Sequence, residues 1–441
     1  MMTILAFVLT LGVIVLIHEG GHFAAARLLG IGVVRFAVGL GNPIWRTRLW
    51  GTEVALCPYP FGGYVKLLEK TDETKETLGL PFDVASRARK AVVVASGPLA
   101  NFVLAVAIFW VMFMAGLPGI KPVASEVLPG SPAAQAGLVP GDEIRAVSGK
   151  PVRTWVELED ALERDAGGKT RLLVAGKKEL ALPLPREEEM KDRGVAQALG
   201  IRPPAPRPTM RVAQVIRGSA ADKAGILPGD EIIAVGEEKL LGWEDFREKI
   251  AASEEKPLEI TLERQGKTEK VILVPQAAKV DGRIEGRAGL AAEVDEKALA
   301  PYLITIRENP IKAFLHAVVR TGEMTALTFK SLYDMAAGML SWQNLGGPVT
   351  IAQFAKKSMD NGVLAFGGFL AVVSIGIGVL NLLPLPLLDG GHLLGYAAQG
   401  VLRGESYDKA AWAAQRLGLL LLFLLIGVAL ANDIKRLLGI Q

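Results

Sequence analysis

The stretch L-I-H-E-G-G-H-F-A-A, residues 16–25, decides how this chain is read. It closes a run from residue 2 that is almost wholly apolar up to Ile17. On a helix, His18 and His22 stand one turn apart on one face, and Glu19 projects about 100° round from His18. A bilayer core takes roughly 20 apolar residues per helix. Each ionisable side chain inside it costs on the order of 2.5 kcal/mol or more. Three such groups between residues 18 and 22 of a membrane helix call for a compensating ligand. The competing reading is a helix end whose polar side chains simply meet water.

The rest of the composition agrees with a membrane protein. The chain has 441 residues, half of them hydrophobic, with a mean hydropathy of +0.33, yet 22% are charged. Apolar segments in lipid and charged domains in water reconcile these values. A net charge of +3 gives no reason to expect nucleic-acid binding. Cys57 is the single cysteine, so no intrachain disulfide forms. Three further apolar segments follow residues 1–28: 91–116, 362–388 and a shorter one at 417–431. The first segment lacks the basic start and small-residue cleavage site of a signal peptide, so it reads as a retained span. Basic residues between 27 and 90, among them Arg27, Arg46, Arg48 and Lys66, place that loop on the cytoplasmic side and residues 117–361 outside.

The outer segment contains a repeat. S-P-A-A-Q-A-G-L-V-P-G-D-E-I-R-A-V (131–147) and S-A-A-D-K-A-G-I-L-P-G-D-E-I-I-A-V (219–235) share 11 of 17 positions at an offset of 88. Trp155 and Trp243 keep that offset. L-G-I-R-P (199–203) and G-L-A-A-E (289–293) read as matching closing strands. Such a period marks two copies of one domain, here 117–205 and 206–295. The order of short helix, Pro-Gly-Asp turn and strand resembles the PDZ domain, which binds extended peptides at a sheet edge. The alternative is a pair of size filters that bind no peptide. Residues 310–340, within a linker at 296–361, read as an amphipathic helix, either on the membrane surface or packed in the bundle.

His18 and His22 at this spacing can grip one metal ion, with Glu19 as general base. Zinc suits such a site, and a catalytic zinc takes a third protein ligand with water in the fourth position. Beyond the pair, the chain has only His316 and His392. His316 reads as a surface or packing residue. Asp389, in N-L-L-P-L-P-L-L-D-G-G-H (381–392), ends the third apolar segment at the leaflet where the first also ends. Asp389 and His392 are thus the two candidates for the third ligand.

H-E-G-G-H in the first span, the tandem insert, and N-L-L-P-L-P-L-L-D-G ahead of the last span together resemble the site-2 protease family, over the whole chain and in order. The resemblance implies four transmembrane helices, a membrane-associated β-hairpin over about 45–66, and two PDZ-like domains outside the membrane. It implies Zn2+ held by His18, His22 and Asp389, with Glu19 as catalytic base. Asn381, Gly62 and Gly63 would meet the substrate, and Pro384 and Pro386 would break the third helix. The implied partner is the transmembrane helix of a single-span protein in the bacterial inner membrane, such as a trimmed anti-sigma factor or a remnant signal peptide. The implied reaction is hydrolysis of a peptide bond within that helix. Two other classes stay open: a metal or proton transporter, and a non-catalytic PDZ scaffold.

Overall fold

The computed structural model describes residues 2–72, 79–165, 170–175, 178–183, 194–280, 283–385, 387–399 and 405–438. The chain divides into two compact units, one of residues 1–117 with 306–441 and the other of 118–305. Among the described residues, four helices are long and apolar enough to cross a membrane. They are α1 (Met2–Leu28), α2 (Arg87–Ala115), the third long helix (Val363–Leu382), and Ala413–Leu438 within the last helix (Glu405–Leu438).

In the first unit α2 is the central member. It packs against α1, against the helix Pro310–Ala336 and against Val363–Leu382. Ala105, Phe109, Ala317, Ala371, Ile375 and Val379 form one buried cluster along these contacts. Small residues set the approach. A Cβ on Gly21 would lie 2.3 Å from the Ser96 carbonyl oxygen. Gly21 thus admits the backbone of α2, while Gly20 has open space around it.

The third long helix is shorter than expected. It stops at Leu382 instead of running through 388. Leu383 is extended ahead of Pro384, as a residue preceding proline prefers. Asp389 therefore does not end that helix but opens a separate one, Asp389–Ala398. A Cβ on Gly390 would sit 2.3 Å from the Leu382 carbonyl oxygen, so glycine lets the new helix fold back onto the end of the old one. Pro386 lies outside the described residues.

The expected hairpin over 45–66 is also corrected. Residues 33–67 form a four-stranded mixed sheet of β1 (Val33–Leu40), β2 (Trp45–Leu49), β3 (Thr52–Leu56) and β4 (Tyr59–Leu67), in the order β2-β3-β1-β4. β2 and β3 make the hairpin, β3 runs parallel to β1, and β4 returns antiparallel along the far side of β1. Around Cys57 and Pro58 the chain thus crosses from one side of β1 to the other. β4 packs on α1 at Gly63, where a Cβ would lie 2.9 Å from Val15 Cγ1 and 3.0 Å from Glu19 Cγ.

The segment after the insert holds two helices. Pro310–Ala336 is capped by the Asn309 side chain, which accepts from the Lys312 amide. Ala313, Ala317 and Thr321 are buried, while Leu315, Val319 and Phe329 stay exposed. It is both packed and apolar on its open side. The second helix, Pro348–Asp360, packs against α1 and Val363–Leu382. Its start carries the motif G-G-P (346–348). Asp433 of the last helix, 2% exposed, accepts from the backbone amides of Gly347 (3.1 Å), Val349 (2.8 Å) and Thr350 (3.4 Å), and from the Thr350 hydroxyl. Asn432 donates to the Trp342 and Leu345 carbonyls. The last helix thereby caps the other in place of a local side chain.

In the 118–305 unit the two repeats fold with the same element order. Each has a short helix (Pro132–Gln135; Ala220–Lys223), a central strand (Ile144–Val147; Glu231–Val235) and a longer helix (Trp155–Arg164; Trp243–Ala251). Ser131 and Ser219 cap the short helices equivalently. The closing strands read from sequence are present. Ile201–Arg202 pairs with Glu126–Val127, and Leu290–Asp295 pairs with Arg207–Val215. Each copy has its own buried cluster, around Leu158 and Ile144 in the first and around Ile260 and Phe246 in the second.

Candidate metal centre

Three side chains converge at the C-terminal half of α1. His18 Nε2 lies 3.2 Å from Asp389 Oδ2, His22 Nε2 lies 3.5 Å from the same oxygen, and the two nitrogens are 3.3 Å apart. The rings meet edge to face with centroids 4.9 Å apart. Among the described residues this is the one group of three or more His, Cys, Asp or Glu whose ligand atoms lie within 4.8 Å of one another. The structure thus brings together residues 367 positions apart (389 − 22).

The donor set fits a zinc ion. Asp389 Oδ2 is buried with only the two Nε2 atoms near it, and imidazoles that turn lone pairs toward it give it no hydrogen bond. Such an orphaned acceptor costs about 1–3 kcal/mol or more unless a cation or donor meets it. The His22 Nδ1–H donates to the Val93 carbonyl at 2.8 Å, which directs the lone pair of Nε2 at Asp389. Two imidazole nitrogens and one carboxylate oxygen facing a common point form the three-ligand pattern of a catalytic zinc, leaving one position for water or substrate. α2 supports the set: a Cβ on Gly97 would lie 2.3 Å from His22 Nε2.

Glu19 lines the same cavity of about 350 Å³, as do Asn381, Gly63, Tyr64 and Val65. The Val65 backbone of β4 faces the Glu19 carboxylate. His392 lines the cavity too but stands outside the three-ligand cluster. Gly62 does not line it; its φ of +144° is a conformation that suits glycine. Gly63 lies against α1 as well as the cavity, so its lack of a side chain lets β4 approach Glu19. His316 pairs with Glu308 at 2.8 Å and packs edge-on to Phe113, away from the cluster.

The profile of Peptidase family M50 matches residues 6–425. The chain belongs to peptidase family M50. It is 37% identical to "Regulator of sigma-E protease RseP" of Salmonella typhimurium (strain 14028s / SGSC 2262), with 98% of both chains covered. It is 34% identical, at the same coverage, to "Regulator of sigma-E protease RseP" of Escherichia coli (strain K12) and to "Putative zinc metalloprotease" of Vibrio cholerae serotype O1 (strain ATCC 39315 / El Tor Inaba N16961). Membership of M50 makes the chain a peptidase and sets aside the transporter and the idle scaffold.

In this M50 member α2 also supplies Val93 and Asn101, which the sequence alone does not tie to the histidines. Asn101 is fully buried, and its amide lies 3.2 Å from His18 Nδ1. A buried-polar signal was available, since Asn101 is the one strongly polar side chain between Ser96 and Ala115. Nothing local ties it to a histidine 83 residues away (101 − 18).

Proposed function

We propose that this chain is a zinc metalloprotease that hydrolyses a peptide bond within the membrane-spanning segment of a single-span protein. The observation that carries the reading is the convergence of His18, His22 and the buried Asp389 oxygen at one end of an apolar helix. A bound zinc ion supplies Lewis acidity, polarising a carbonyl and lowering the pKa of water to about 7. Glu19, in the same cavity, serves as general base and returns the proton to the leaving amine. Asn381 faces the cavity from the end of the third long helix and is placed to hold an extended substrate segment.

A helical peptide bond has its carbonyl engaged, so the substrate must first unwind. β4 is the edge strand of the 33–67 sheet, and its residues 63–65 line the cavity. An unwound segment adding to that edge would have its backbone groups satisfied within lipid. Substrates of this kind include a trimmed anti-sigma factor and remnant signal peptides. The enzyme works as a multi-pass protein of the bacterial inner membrane, and the basic loop residues support a centre toward the cytoplasm. The 118–305 unit serves as two tandem PDZ-like domains outside the membrane that screen out substrates with bulky outer portions. Deleting 118–305 should then admit such substrates, and an unchanged substrate range after deletion would remove this role.

Two measurements test the reading. Metal analysis of the purified protein should find about one zinc per chain, reduced in both His22→Ala and Asp389→Ala. Zinc retained in Asp389→Ala would hand the third ligand to His392. Glu19→Gln should keep zinc yet lose about 10²–10⁴-fold in cleavage rate of a membrane-segment substrate. Undiminished cleavage would remove Glu19 as the base.

A further inference from the structure

Both candidate histidine ligands turn their far nitrogens toward α2. For His22 the partner is plain: Nδ1–H donates to the Val93 carbonyl at 2.8 Å. If His18 also offers Nε2 to a metal, its Nδ1 carries the hydrogen and needs an acceptor. The group opposite is the amide of Asn101, 3.2 Å from Nδ1 and 0% exposed. With Nδ2 turned toward His18, two donors would confront each other, and Asn101 Oδ1 is left buried with no partner. The two ends of an amide are distinguished only by what they bond. Turned by half a revolution, Oδ1 accepts the His18 Nδ1–H and the conflict disappears.

We propose that Asn101 is a positioning residue whose side-chain oxygen accepts the Nδ1–H of His18, fixing that ring with Nε2 toward Asp389 and the metal. The role rests on the zinc reading above. Asn101 is itself held from behind. The Ser374 hydroxyl of the third long helix donates to its backbone carbonyl at 2.9 Å. A Cβ on Gly378 of the same helix would lie 3.4 Å from Asn101 Cβ. The helix that leads to Asp389 therefore also braces the residue that orients His18. α2 then sets both imidazoles, from Val93 and Asn101, two turns apart along one face.

The test is zinc affinity, measured by chelator competition on the purified full-length chain, for wild type, Asn101→Leu, Asn101→Asp and His22→Ala. Visible spectra of the cobalt(II)-loaded proteins give a readout of ligand geometry independent of activity. Asn101→Leu removes the acceptor at similar volume and should weaken zinc binding about 10- to 100-fold. Its cobalt bands should shift while the metal-free melting temperature stays at the wild-type value. Asn101→Asp keeps the acceptor and should bind zinc as wild type does. Asn101→Leu binding within about twofold of wild type, set against that expected range, would overturn the role. So would Asn101→Asp losing as much as Asn101→Leu, since an aspartate accepts but does not donate. If Asn101→Leu does not fold, the Asn101→Asp affinity decides alone. Wild type without zinc, or His22→Ala with wild-type affinity, would overturn the centre itself, and the Asn101 role with it.

Discussion

At His22 a single methyl group separates a binding-competent ring from a displaced one. Gly97 in α2 leaves room for the His22 imidazole, and a Cβ there would sit 2.3 Å from Nε2. No carbon approaches a ring nitrogen that closely, so either the ring or α2 must move. Gly97→Ala should therefore reduce bound zinc sharply, although alanine is the better helix former by about 1 kcal/mol. Metal analysis beside metal-free thermal melting checks this; wild-type zinc content in Gly97→Ala would show that the bundle yields without disturbing the ring. His18, Glu19 and His22 were legible in the sequence because helical spacing is a local property. The places of Gly97, Val93 and Asn101 were not, because each matters through a contact between α1 and α2.

The turn at 342–350 shows the same limit at the level of an element. G-G-P (346–348) carries no chemistry of its own, and its meaning lies in Asp433, 86 residues away (433 − 347). A Cβ on Gly347 would be 2.9 Å from the Ala429 carbonyl oxygen, so only glycine lets the last helix come this close. Asp433→Ala would strip the cap from the helix Pro348–Asp360 and leave the buried amide of Gly347 and the half-buried amide of Val349 without an acceptor. A loss of about 2 kcal/mol is expected. Because that helix packs on α1, protease sensitivity should rise in 342–360 before elsewhere. Limited proteolysis of wild type and Asp433→Ala followed by mass spectrometry checks both points, and an unchanged cleavage pattern would deny the cap its structural weight. The third long helix shares that lesson only in part, because its break at Pro384 is expected from the sequence and the contact of Gly390 is not. Its apolar run continues to Leu388, but Pro384 and the contact of Gly390 with Leu382 end the helix early.

For the molecule as a whole, the two repeats share a fold pattern but not the buried ion pair of the second copy. Asp230 in the second copy is 2% exposed. Burial by itself raises its carboxyl pKa, but bonds from Arg264 at 2.7 and 2.9 Å and from the Leu227 amide outweigh that and hold it below its ordinary value of 3.8. A carboxyl whose pKa is lower folded than unfolded adds stability above the unfolded value, and that stability is lost as pH falls through the folded value. The second copy should therefore loosen as pH drops below about 4. At the repeat offset of 88, Arg264 corresponds to Gly176, so the first copy lacks the same pair. Calorimetry of the full chain should show one transition weakening in acid. Asp230→Asn should lower that transition at neutral pH, by about 3 kcal/mol for a broken buried pair, and blunt its acid dependence. Equal acid sensitivity of both copies would count against the Arg264 assignment.

The sequence by itself determined four apolar segments, a duplicated insert, and a histidine pair at metal-ligand spacing with its neighbouring glutamate. Each of these is written in short-range periodicity or in self-similarity at a fixed offset, which a linear reading can detect. It also narrowed the third ligand to two residues. Only the tertiary structure brings one of them, Asp389, to within 3.5 Å of both imidazoles, by folding the chain back at Gly390. Tertiary structure alone likewise made residues 33–67 a four-stranded sheet, since the parallel pairing of β1 with β3 leaves no local mark. The same holds for Asn101 and Asp433: their roles arise where separate helices meet, and the spacing of residues along one helix does not encode which helix will lie beside it.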